Sequence, residues 1–148
     1  MYQTRARSHS SARVATRVRM NTLAGIKERQ ENRRRALEQG LTAIVAQLRD
    51  LGARKVILFG SLARGDTGAW SDLDLLVVVP SSRSSREWTR QVYAEVERTV
   101  ACDFIVYTEE DLQAMLPTSH FLRHVLKEGK VAYEAGTPSG SAALAHAG

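Results

Sequence analysis

Two neighbouring stretches set the architecture of this 148-residue chain: Gly60-Ser61-Leu62-Ala63-Arg64-Gly65-Asp66, and then Asp72-Leu73-Asp74-Leu75-Leu76-Val77-Val78-Val79. The run from Leu73 to Val79 is apolar except at Asp74, which predicts a strand buried on both faces, stopped by Pro80 and the serines after it. Asp72 and Asp74 stand two residues apart at its start, so both side chains leave the same face, with Cα atoms roughly 6–7 Å apart. Two carboxylates in so apolar a setting are costly through desolvation and mutual repulsion unless cations lie between them. Mg²⁺ suits that place, because it takes oxygen ligands and often only one or two protein carboxylates, with phosphates and water completing its shell. Taken alone, the Asp-x-Asp pair reads better as a turn residue beside an incidental strand-edge charge. Its surroundings decide the matter.

Gly60 and Ser61 precede the pair where an earlier apolar run, Lys55 to Phe59, should end as a strand and turn into a short helix at Leu62, Ala63 and Arg64. Glycine lets a phosphate approach the backbone, and a serine hydroxyl with the free N–H groups of a helix start can bond its oxygens. Gly60 to Gly65 has the spacing of a P-loop, but Asp66 stands where that motif requires lysine, which excludes a P-loop NTPase. Arg64 is the available cation, as readily a solvated arginine as a triphosphate contact.

Outward from this centre the periodicities are clear. From Thr22 to Leu51, the residues Leu37, Leu41, Ile44, Val45, Leu48 and Leu51 form one helical stripe, and Gly52 ends it. Ser84 and Glu87 are spaced as a capping box, and Trp88, Val92, Val96 and Val100 step every four residues, predicting a helix over 84–100. Asp103 to Tyr107 reads as a third strand. Thr108 and Asp111 open a short helix to Leu116, and Pro117 breaks it. A last helix over His120 to Glu128 is capped by Gly129 and leads to an edge strand, Val131 to Tyr133. The order of elements predicts an α/β (α+β) domain, a small mixed sheet flanked by helices over 21–134, with a basic leader over 1–20 and a flexible tail over 135–148.

Asp103 adds a third carboxylate if its strand lies beside Leu73 to Val79. Three carboxylates suit two-metal phosphoryl chemistry, in which ions about 3.5–4 Å apart clamp the attacking and departing oxygens. Asp72 and Asp74 would hold both ions, and Asp103 would bind the catalytic ion and help deprotonate the acceptor hydroxyl. Gly60-Ser61, ten residues, Asp72-Leu73-Asp74 and then Asp103 on a later strand resembles the DNA polymerase beta nucleotidyltransferase superfamily, over about residues 37 to 134. The wording Gly-Ser-Leu-Ala-Arg-Gly-Asp and the closing Glu128-Gly129-Lys130-Val131-Ala132-Tyr133-Glu134 are similar to its minimal nucleotidyltransferases. The resemblance implies ATP as substrate, two Mg²⁺ ions as cofactors, and a HEPN-domain toxin as partner, whose tyrosine receives AMP. It also marks Gly60, Ser61 and Arg64 as nucleotide-binding residues. The chain lacks the helical acceptor domain of larger relatives, so acceptor recognition is expected from another protein. Two other readings stay open: transfer to a small hydroxylated molecule such as an aminoglycoside, and noncatalytic binding of a toxin.

Charge sets aside a broader nucleic-acid role. The net charge of +5 equals the five arginines Arg5, Arg7, Arg13, Arg17 and Arg19, so the rest of the chain is neutral. That Ser/Arg/Ala-rich leader is too polar to bury anything and is expected to be disordered, with a nucleic-acid arm or an Arg-rich targeting segment as its functional alternatives. It also reads as sequence upstream of a start at Met20. A single cysteine, Cys102, fits a reducing cytoplasm and small core packing. No apolar stretch approaches the roughly 18 residues of a membrane helix. His120 and His124, four apart on a helix, lack an evident third ligand for zinc. Trp70 suits either base stacking or packing under the loop, and Arg33, Arg34 and Arg35 read as a solvated helix face.

Overall fold

The computed structural model describes residues 22–60, 62–65 and 73–136. Helix α1 (Leu23–Leu51) begins where the Thr22 hydroxyl accepts a hydrogen bond from the Gly25 N–H at 3.0 Å. It ends at Gly52, whose φ of 111° lies in the left-handed region. There the Gly52 and Ala53 N–H groups donate to the Arg49 and Leu48 carbonyls, satisfying acceptors that the helix end would otherwise orphan. The expected stripe faces inward: Leu37, Ile44 and Leu48 are buried, with Leu41, Val45 and Leu51 packed beside them.

Strand β1 (Lys55–Phe59) follows, and β2 (Leu73–Val79) pairs antiparallel with it. Helix α2 (Ser85–Glu95) starts at Ser84, whose hydroxyl accepts from the Glu87 N–H, and it is shorter than the stripe predicts. Its last helical residue is Glu95, five residues before the expected end, although Val96 stays buried and Val100 partly so. A competing contact accounts for the difference. The Gln47 amide accepts from the Glu97 N–H and donates to the Glu97 carbonyl, both at 2.8 Å, giving that peptide its partners without a helix. The extended segment also carries Val100 against Gly40, where a Cβ would meet Val100 Cγ2 at 2.7 Å.

Strand β3 (Cys102–Thr108) runs parallel to β2 and is one residue longer at each end than predicted. Helix α3 (Glu109–Met115) is capped by the Thr108 hydroxyl, and α4 (His120–Glu128) occupies its predicted span. Gly129 does end α4, but with an extended backbone and not a left-handed cap. Glycine is needed there for space, since a Cβ would meet both Ile57 Cγ2 and the Val125 carbonyl oxygen at 2.5 Å. Strand β4 (Lys130–Glu134) closes the sheet against β1, with a bulge opposite Val56 and Ile57.

The strand order is β3-β2-β1-β4, a mixed sheet with helices on both faces. One face carries the larger core: Val56, Leu58, Leu73, Leu75, Val77 and Phe104 pack against α1 and α2. The other carries a smaller cluster in which Ile57 and Leu76 meet Leu122 and Val125 of α4. At the β3 edge, the Tyr93 hydroxyl accepts from the Phe104 N–H at 3.0 Å and lies 3.4 Å from the Phe104 carbonyl oxygen, to which it can donate. Arg98 donates to the Cys102 carbonyl at 3.3 Å along the same edge. Among the described residues, no helix is long and apolar enough to cross a membrane.

Candidate active site

The smaller face is where the carboxylates stand. Leu76 and Ile105 point to it, so Asp74 and Asp103, each two residues earlier on its strand, point there as well. The parallel register pairs Asp74 with Asp103 directly, and the antiparallel register pairs Asp74 with Phe59. Asp103, Asp74 and Phe59 thus form a row across β3, β2 and β1, with adjacent strands about 4.8 Å apart. Asp74 is half-buried and Asp103 exposed, which leaves the outer acid open to solvent. Asp72 and Ser61, like Trp70, lie outside the described residues.

Gly60 joins this row to the turn that follows β1. Its φ of 81° favours glycine, and a Cβ built on it would meet Asp74 Oδ2 at 2.3 Å, so the side chain of Asp74 uses the space that glycine leaves. The turn that follows differs from the short helix expected of Leu62, Ala63 and Arg64. It is one hydrogen-bonded turn, in which the Arg64 N–H donates to the Gly60 carbonyl at 3.3 Å and the Gly65 N–H to the Leu62 carbonyl at 3.0 Å. Gly65, also at a φ of 81°, ends it at once, and the buried Leu62 and Ala63 pin it to the larger core. Arg64 therefore does not sit in a helix; its backbone N–H is tied to Gly60 and its side chain is exposed.

Between this turn and α4 lies a depression of about 240 Å³ lined by Phe59, Gly60, Ala63, Arg64, His124, Val125, Glu128 and Gly129. Phe121, 42% exposed on the same helix, meets Phe59 edge to face with ring centroids 5.6 Å apart. From sequence alone His124 pairs only with His120, and Glu128 and Phe121 have no place in a site. The two histidines part company here: Arg123 lies 3.0 Å from His120 Nδ1, whereas His124 faces the depression. The available signal was the spacing of Phe121, His124, Val125 and Glu128 along one side of α4, which shows a shared face but not what it faces.

The donor set fits Mg²⁺. Asp74 and Asp103 offer carboxylate oxygens side by side, and Gly60 keeps the space at Asp74 clear of a side chain. Among the described residues, no group of three or more His, Cys, Asp or Glu is placed to share an ion, and the third predicted acid, Asp72, lies outside them.

An apolar sheet carrying paired acids next to a glycine turn suits metal-assisted phosphoryl transfer, and the family comparison is consistent with that chemistry. The family profile described as "Nucleotidyltransferase domain" matches residues 41–132, so the chain belongs to the nucleotidyltransferase domain family. That span runs from α1 into β4 and contains the whole acid row and the turn. No curated protein sequence matches the chain. A crystal structure from Sulfolobus solfataricus, provisionally described as a nucleotidyltransferase, is similar to it at 21% identity and a TM-score of 0.48, covering 68% of this chain and 86% of its own.

Proposed function

We propose that the chain is a Mg²⁺-dependent nucleotidyltransferase that moves AMP from ATP to a hydroxyl acceptor, a tyrosine of a cognate HEPN-domain toxin. The observation that carries this reading is the register of Asp74 against Asp103 beside Gly60, which puts two carboxylates and a glycine-lined turn at one edge of the sheet. Asp72, Asp74 and Asp103 would hold two Mg²⁺ ions. When bound, these ions neutralise the triphosphate and stabilise the charge that develops on the attacking and leaving oxygens. Asp103, on the exposed strand, takes the acceptor's hydroxyl proton as the acceptor oxygen bonds to the α-phosphorus. The bond from that phosphorus to the bridging oxygen breaks, and pyrophosphate leaves. Ser61, the backbone of the Gly60 turn and Arg64 orient the phosphates for an in-line approach. The acceptor comes from a second protein, which the resemblance names as the toxin.

The test is to incubate the chain and its neighbouring HEPN protein with ATP and Mg²⁺, separate them, and measure the toxin's intact mass and RNA cleavage. An AMP-sized mass increase and lasting loss of cleavage are expected. A toxin silenced only while bound, with unchanged mass, would replace this reading with noncatalytic binding, and labelling of an aminoglycoside would replace the acceptor. Deleting residues 1–19 should leave turnover unchanged at fixed salt.

A further inference from the structure

Metal and phosphate binding account only for the Gly60 and Arg64 rim of the depression between the turn and α4, and leave its α4 side unassigned. Its volume of about 240 Å³ lies below the roughly 300–1,000 Å³ of a whole ligand pocket, so it fits part of a nucleotide. Three polar side chains surround it, Arg64, His124 and Glu128, and none has a hydrogen bond or ion pair to another described residue. Phe59, Ala63 and Val125 supply the apolar part of its lining.

That mixture selects among the parts of an NTP. Outer phosphates would meet Arg64 favourably, but they would also meet the Glu128 carboxylate at the C-terminal end of α4, where the helix dipole is negative as well. An apolar lining adds nothing for phosphate. A nucleobase inverts each of these terms: its faces suit Phe59 and Val125, and an exocyclic amine suits a carboxylate acceptor. The placement agrees, because Gly60 borders the depression and also touches Asp74. A base seated there would send its ribose and phosphates past Arg64 toward the acid row.

We infer that the depression is the nucleobase subsite, in which Glu128 accepts a hydrogen bond from the base's exocyclic amine and His124, one helical turn earlier, forms the adjoining wall. The subsite rests on the nucleotidyltransferase reading and deepens it, since it assigns the preference for an amine-bearing base to a residue outside the acids and the glycine turn.

ATP and ITP differ at the position read, where an amine is replaced by a keto oxygen, so the full chain is titrated with each, and with inorganic tripolyphosphate, in Mg²⁺. A hydrogen bond to a charged group predicts ATP tighter than ITP by about tenfold or more. Glu128→Gln, which can donate as well as accept, should bring that ratio close to one and leave tripolyphosphate unchanged. Equal binding of ATP and ITP by the native chain overturns the subsite and leaves the enzyme reading intact. Tighter binding of all three by Glu128→Gln assigns the depression to phosphate and overturns it too. If neither nucleotide binds, the nucleotidyltransferase reading falls and the subsite with it. His124→Ala, expected to weaken ATP and ITP alike but not tripolyphosphate, checks the wall independently.

Discussion

The two faces of the sheet divide the labour of the molecule. The face under α1 and α2 is apolar from Leu37 to Val106 and carries most of the buried side chains. The face under α3 and α4 has a small cluster around Ile57 and Leu76, and at one end of its strands it exchanges apolar residues for Asp74 and Asp103. A strand such as β2, buried on both faces, serves both: Leu73, Leu75 and Val77 hold it to one side while Asp74 is presented on the other. The lesson is that costly acids can be fixed in place by a core on the opposite side of the same strand.

That division can be broken by substitution. The largest effect is expected from Asp74→Asn: transfer from labelled ATP should fall to background, because the carboxylate that would hold the metal is lost. Wild-type transfer by both Asp74→Asn and Asp103→Asn would end the two-metal assignment. The opposite behaviour is expected of Leu48→Ala, in the large core, which should cost about 2–5 kcal/mol in urea unfolding and preserve turnover per folded molecule. Gly60→Ala tests the seam between the two faces. Its positive φ alone should cost about 1–2 kcal/mol, and displacement of the Asp74 carboxylate should lower transfer well beyond what lost stability explains. Smallest is Ser84→Ala, removal of the α2 cap, at about 1 kcal/mol with no change in transfer. A larger loss there would mean that α2 also positions the acids.

Sequence periodicity located the main helices and strands and put the strand of Asp103 beside that of Asp74. The α1 stripe, the apolar run of β2 and the caps at Thr22, Ser84 and Thr108 are local signals, and each marks its element. The pairing of Asp74 with Asp103 was legible because both acids open apolar strands, which pack as neighbours. What escaped depends on contacts distant in sequence. Gln47 ends α2 early by serving the Glu97 peptide, fifty residues away, and no helical periodicity records that. Likewise, the outer side of α4 shows Phe121, His124 and Glu128 together, but only the packing of Val125 and Gly129 against β1 brings that side to Gly60. The turn at 62–65 was expected to be a helix because its residues suit one, and Gly65 stops it after a single turn.

The Tyr93 hydroxyl at the β3 edge has a consequence for how the protein behaves in a crowded solution. A sheet edge with free N–H and C=O groups is a template on which another chain can add a strand. By bonding the Phe104 peptide, Tyr93 fills that vacancy with a covalently tethered oxygen, as a permanently bound water would. The opposite edge, β4, has Lys130 and Glu134 at its two ends, the latter 3.9 Å from the Lys55 ammonium, with the exposed Val131 between them. Considered as a colloid, the molecule has one sheet edge whose Phe104 peptide is capped by a side chain and another whose strand carries an opposite charge at each end.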